Sequence, residues 1–310
     1  MLWVNFMGDL ISWYFNVPHM DFVESDGVFY AAHQNSYIYI IPIGSEKTTT
    51  FFHLLQLIQN SSALQVIPSR EGELTVTFSG QEYYAIMSNF SLHEKITLGT
   101  LKSEEIYNAP YKIAHHYKNL WISKNQLHES TLQAAIEKVA PVDQPLLFDI
   151  ATYYIHMSEQ AYSLLTPIEY MEFHATLCHA RATPQIRTYE LLMPEFLIID
   201  NKSRNYCECI RHQFLESYNF SDINQIVAYI HANDPLNAAE WAFLYARLYF
   251  PTHFYDCLHD IQNGSPEDIT ALYEHTLHYQ KLLINLPQSI LDNTGITLQI
   301  PAWILSENNF

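Results

Sequence analysis

The sequence predicts an α+β protein in two lobes, a small β-rich one over residues 1–90 and a larger, mainly helical one over residues 91–310. Three observations carry this. The apolar stretches of the first hundred residues are short, rich in β-branched and aromatic residues, and closed by turn residues. Beyond residue 100 the apolar spacing lengthens to the helical period. A single β-like pair, Ala175–His179 and Glu195–Asp200, interrupts those helices.

Taken in order, Phe6, Leu10, Trp13 and Val17 recur at helical spacing and predict a docked amphipathic helix. Val28–Ala32 and Tyr37–Ile43 predict a hairpin across Gln34-Asn35-Ser36, ended by Gly44-Ser45-Glu46. Thr48–Gln59 reads as a short helix with Phe51, Leu55 and Ile58 on one face. A second hairpin is expected from Leu64–Pro68 and Leu74–Phe78 across Ser69–Gly72, with Tyr83–Met87 following after a Ser79-Gly80-Gln81 turn. Ser88–Leu98 connects the lobes. Helices are then expected at Ser103–Lys118 (disturbed at Pro110), Glu129–Val139, Pro145–Leu165, Tyr206–Tyr218, Asp222–Ala232, Leu236–Ile261 and Pro266–Leu286. Asn233-Asp234-Pro235 starts the Leu236 helix and Asn263-Gly264 stops it.

Composition excludes several functions. Glycine occurs 8 times in 310 residues, against a usual ~7%, and no two glycines lie closer than eight positions. Dinucleotide fingerprints, Walker loops and nucleophile elbows each need glycines within a few residues, so none is present. The formal charge is −18, with acids spread along the whole chain and no basic stripe, which argues against nucleic acid and anionic membrane as partners. Cys178, Cys207, Cys209 and Cys257 are too few for a secreted disulfide framework and read as reduced thiols. The apolar N-terminus has no Lys or Arg before Lys47, unlike a signal peptide, and no apolar run is long enough to span a membrane.

Three stretches carry a resemblance: Leu177-Cys-His-Ala-Arg181, Ile199–Arg211 with its Asp200-Asn-Lys-Ser-Arg204 core, and Glu240-Trp-Ala-Phe-Leu-Tyr-Ala-Arg-Leu-Tyr-Phe-Pro-Thr-His-Phe-Tyr-Asp-Cys257. The last is long and aromatic, and Ile300-Pro-Ala-Trp-Ile304 adds to it. They resemble the YutH-type spore coat proteins, related to the CotS coat proteins, within the aminoglycoside/choline kinase branch of the protein-kinase-like fold. The resemblance implies a two-lobed kinase-like fold, synthesis in the cytoplasm, assembly into the spore coat and other coat proteins as partners.

It also allows the phosphoryl-transfer positions to be audited one by one. The phosphate cradle needs a glycine-rich hairpin, but the turns here are Gln34-Asn35-Ser36 and Glu24-Ser25-Asp26-Gly27. The phosphate lysine belongs on the third strand, yet Tyr37–Ile43 has none; Lys47 and Glu46 follow the strand and read as a helix start. The family's H-G-D-x-x-x-x-N loop, aligned on His179, reads His179-Ala180-Arg181 with Ile186 at the metal-binding amide. Arginine cannot act as a base, and isoleucine cannot bind Mg²⁺. Asp200 matches the acidic metal ligand and is the one candidate for a nucleotide or metal contact. Its structural alternative is a pair with Arg181 or Arg204, and Arg204, Glu208, Arg211 and Arg247 read as an internal ion-pair framework.

Two further constellations stand out. His253, Asp256, Cys257, His259 and Asp260 fall on one helical stretch, and His174, Cys178 and His179 are close in sequence, but both read better as core than as metal sites. The 22 tyrosines read as core and boundary residues, with oxidative cross-linking as the sharper idea if they are exposed. The reading is a degenerate kinase serving the coat, with no cofactor. The alternatives are a binding module with a nucleotide or metabolite at Asp200, and a phosphotransferase with relocated groups that would use ATP and Mg²⁺.

Overall fold

The computed structural model describes residues 11–15, 17–25, 27–43, 64–88, 105–179, 197–264 and 268–305. The expected helix over 48–59, the connector at 89–98, and Lys47, Arg181 and Ile186 lie outside those residues.

Six strands build the N-terminal sheet: β1 Val23–Ser25, β2 Val28–His33, β3 Ser36–Pro42, β4 Leu64–Ile67, β5 Thr75–Phe78 and β6 Gln81–Ser88. All pairings are antiparallel, in the order β1-β2-β3-β6-β4, with β5 also on β6. The central β3 buries Ile38, Tyr39, Ile40 and Ile41 on both faces, which its unbroken apolar run foreshadows. Ser79 and Gly80 both take positive φ, the backbone a two-residue hairpin needs between Phe78 and Gln81. Gln34 does the same at the β2–β3 turn without any glycine (φ 55).

Two expectations are corrected here. Leu64–Pro68 and Leu74–Phe78 form no hairpin with each other. Both pair with β6, β4 through Ile67↔Ala85 and β5 through Thr75↔Tyr84, so they lie end to end along one edge. The N-terminal segment docks through Ile11 and Phe15, with Val17, against Phe22, Ala31, Ile38, Ile40 and Ala85. Trp13 is off that face, 65% exposed, with the Arg70 guanidinium 5.5 Å from its ring. Of the expected face, Val17 docks and Trp13 does not, while Phe6 and Leu10 lie outside the described residues.

The C-terminal part combines the sheet β7 Glu105–Tyr111, β8 Phe173–His179 and β9 Leu197–Asp200 with seven described helices. These are α1 Ile113–Ile136, α2 Gln144–Leu165, α3 Ser203–Ser217, α4 Phe220–Asn233, α5 Ala238–Tyr249, α6 Thr252–Gln262 and α7 Ile269–Thr294. The expected helix over Ser103–Lys118 is wrong in its first half. Residues 105–111 are an edge strand with register shifts, where Pro110 lacks the N–H a helix interior requires. The helix starts only at Ile113 and absorbs the separately expected Glu129 segment.

Leu236–Ile261 is likewise two helices. Phe250, held extended before Pro251 (φ −78, ψ 110), separates α5 from α6. Pro287, by contrast, does not end α7, whose buried Leu282, Leu283, Leu286 and Ile290 keep both sides of it in the core. A single cluster centred on Trp241, Phe243, Tyr154, Tyr206 and Tyr279 joins these helices. It places the ends of β8 and β9 against α1, α3 and α5.

Candidate functional site

Asp200 ends β9 with no exposure to solvent. The backbone around it is fixed before its side chain is considered. Thr176 Oγ1 donates to the Asp200 carbonyl (3.0 Å), and Cys178 Sγ donates to that of Asn201 (3.3 Å). The Asn201 amide oxygen accepts from Ser203 N–H (3.0 Å), the Asx arrangement that starts α3. Its amide nitrogen donates to Glu240 Oε1 (3.1 Å), and Glu240 closes the capping box of α5 with Asn237. The strand end is thereby pinned to the starts of two helices.

The Asp200 carboxylate is surrounded by donors. Arg247 Nη2 lies 2.6 Å from each oxygen, and Arg204 Nη1 lies 3.2 Å from Oδ2. The Tyr117 hydroxyl donates to Oδ2 (2.5 Å) and the Asn201 N–H to Oδ1 (2.6 Å). Arg247 is itself buried, its guanidinium 4.0 Å from the Tyr117 ring centroid and 4.4 Å from that of Phe243. Burial would lower the Arg247 pKa, but the Asp200 charge outweighs it and holds the group firmly ionised. Burial, with the Asp200 charge, pushes the Tyr117 phenol up, so it stays a neutral donor.

His179 reaches the same cluster through its backbone. Its N–H donates to Asn205 Oδ1 (2.9 Å), and its carbonyl accepts from Arg204 Nε (3.2 Å). Burial pushes the imidazole down to about 4, and Nδ1 is buried without a hydrogen-bond partner among the described residues. Arg204 therefore ties the end of β8 to Asp200. Of the residues singled out in the sequence, the structure brings together His179, Asp200, Arg204 and Arg247. Arg247 as the principal partner of Asp200 escaped sequence reasoning, although a lone cation within Trp241–Phe250 was its signal. Tyr117 carried no signal.

A second network lies one turn along α3. Glu208 takes both oxygens to Arg211 Nη1 (2.8 and 3.0 Å), the i, i+3 pair the sequence suggests. Burial raises the Glu208 pKa, but the Arg211 charge more than reverses this and holds the carboxyl below its usual range. Arg211, 2% exposed, also donates to the carbonyls of Arg247 (2.6 Å) and Phe250 (3.3 Å). It thus satisfies acceptors left over where Pro251 ends α5.

The remaining sequence candidates resolve into core. Among the described residues no group of three His, Cys, Asp or Glu side chains is placed to hold a metal ion. His253 Nε2 faces the Tyr154 hydroxyl (3.1 Å). Burial pushes the Cys207 and Cys209 thiols up to about 12. Tyr170 is exposed, whereas Tyr39, Tyr84, Tyr154, Tyr206, Tyr249 and Tyr279 are fully buried. The clustered pairs Tyr153-Tyr154 and Tyr245/Tyr249 are core packing, which removes the basis for a cross-linking role at those clusters.

An antiparallel N-terminal sheet, a helical part, and an aspartate ending the strand after the β8 hairpin segment define a protein of the kinase-like class. The chain belongs to the family described as "Spore coat putative kinase YutH", whose model matches residues 11–283. It is 25% identical to the endospore coat-associated protein YutH of Bacillus subtilis (strain 168), covering 87% of this chain and 89% of that one. Its fold is similar to that of an aminoglycoside phosphotransferase from Alicyclobacillus acidocaldarius, with a TM-score of 0.61 at 10% identity over 91% of this chain and 95% of the other.

Proposed function

We propose that this chain is a kinase-like protein without phosphotransferase activity that serves as a structural or assembly component of the spore coat. The observation that carries the reading is the Asp200 carboxylate, whose two oxygens are taken by Arg247, Arg204, Tyr117 and the Asn201 N–H. The residues present do not fit Mg²⁺ and ATP. A metal ligand must offer its lone pairs to the cation, and a guanidinium at 2.6 Å on each oxygen competes for them and repels a second positive charge. The central strand β3 carries no lysine for the phosphates, and its turn to β2 has no glycine to let backbone N–H groups approach them. In the sequence, Arg181 aligns with the position where the loop needs a base, which supports the same reading.

The coat assignment rests on the family and on the coat association of the Bacillus subtilis relative, and other coat proteins are the expected partners. A fluorescent fusion followed through sporulation tests it. The reading expects the fusion to collect on the developing spore and to remain on released spores; a signal left diffuse in the mother cell overturns it. The catalytic half is tested by ADP release from ATP and Mg²⁺ with hydroxyl and amino substrates. Turnover abolished by Asp200→Ala, in a variant shown to be folded, would install an enzyme in place of this reading.

A further inference from the structure

Outside the Asp200 cluster, the second network opens onto a cleft of about 340 Å³ between α1, α3 and α6. Its walls carry the cations Lys124, Arg204 and Arg211 against the carboxylates Glu208 and Asp256, together with three imidazoles, His128, His212 and His253. Behind the wall, Arg204 shares Asp200 with Arg247, so that one buried carboxylate serves two guanidinium groups. Arg247 Nε has no acceptor among the described residues. The lining thus carries three cations to two carboxylates on a chain of formal charge −18, and low-dielectric walls strengthen its field.

The titratable groups around the cleft respond to that field. Burial and then the Arg204 charge lower the Lys124 pKa, against a smaller opposing pull from Asp256. Burial and then Lys124 push His128 down to about 4. Burial and then Arg211 and His212 hold His253 well below the usual histidine value. His253 lines the cleft, and its Nδ1 is buried without a hydrogen-bond partner, Nε2 being turned to Tyr154.

We propose that this cleft binds a phosphate group, as the free ion or as a phosphomonoester, with Lys124 of α1 and Arg204 of α3 as its charged contacts. Three helices contribute polar groups from different sides, which suits a tetrahedral oxyanion better than a planar carboxylate. The Thr252 hydroxyl, which accepts from Arg211 Nη1 (2.8 Å), keeps its own proton to donate. The volume exceeds that of one phosphate, and the stacked rings of His128 and Tyr255 offer a flat apolar wall to an ester substituent. The site is built without Mg²⁺ or nucleotide and does not depend on the coat reading.

The test is thermal unfolding and calorimetric titration of the full chain with inorganic phosphate and with phenyl phosphate, using chloride at matched ionic strength as the control. Binding to the folded state raises the melting temperature in a saturable manner. The expected result is saturable stabilisation by phosphate or its ester, at least tenfold weakened in Lys124→Glu and in Lys124→Met. Lys124 is partly exposed at the cleft wall, and circular dichroism checks that both variants fold. A response to phenyl phosphate above that to phosphate identifies a phosphomonoester site; equal responses identify the free ion. No saturable shift with either probe, or a shift unchanged in both Lys124 variants, overturns the proposal.

Discussion

Replacing Arg247 with methionine tests whether the Asp200 cluster holds the fold. The substitution keeps an apolar stem between Tyr117 and Phe243 but removes the donor 2.6 Å from each Asp200 oxygen. Asp200 then remains unexposed, with Arg204 at 3.2 Å as its one cation among the described residues. Breaking a buried ion pair by removing one partner costs about 3–5 kcal/mol. The retained Arg204 and the methionine packing place the expected loss at the lower end, about 3 kcal/mol, since Arg204 still compensates part of the charge. At roughly 2 °C per kcal/mol for a large domain, the melting temperature falls by about 6 °C. Urea unfolding followed by circular dichroism measures the loss. The double variant Asp200→Asn/Arg247→Met should regain at least 1 kcal/mol relative to the sum of the single losses, because the two residues are coupled. A single-variant loss below about 1 kcal/mol, or strict additivity, would refute the claim that this pair organises the site.

Other consequences concern acid stability and thiol chemistry. Because the folded-state pKa of Glu208 is depressed, the unfolded chain binds the extra proton first. The Glu208–Arg211 pair therefore stabilises fully above the ordinary carboxyl pKa of about 4.3, and that contribution is lost as pH falls through the depressed value. Glu208→Gln should lower the urea midpoint at pH 7 and flatten its decline between about pH 5 and 3; parallel pH profiles would count against the pairing. Cys178, Cys207 and Cys209 are buried and Cys257 is half-buried. An aromatic disulfide reagent should accordingly label one thiol quickly in the native protein and the other three only on unfolding, and fast labelling of Cys207 or Cys209 would contradict their burial.

The fold was legible wherever local pattern and tertiary demand agreed. β3 and β6 follow their apolar runs, and α5 begins two residues past the expected Leu236 start, after the Asn237 cap. Legibility failed where a proline or a partner strand decides. Pro110 converts an apparent helix start into the edge strand β7, and Pro251 cuts one apparent helix into α5 and α6, whereas Pro287 leaves α7 intact. The alignment of β4 and β5 along β6 depends on a third strand, which no turn signal encodes. At the site, the Glu208–Arg211 pair could be read because it is local in sequence. The Asp200–Arg247 pair spans 47 positions, and Tyr117 lies 83 positions from Asp200, so only packing of the core brings them together.

On the proposed function, the arginines around Asp200 and the absence of a lysine from β3 keep Mg²⁺ and ATP from binding. Calorimetric titration of the purified chain with ATP in excess Mg²⁺, paired with its melting temperature, measures this directly. The expected result is no saturable heat and a melting temperature unchanged within about 1 °C, because only a ligand of the folded state raises it. Saturable Mg²⁺-dependent binding with stabilisation of several degrees would contradict it.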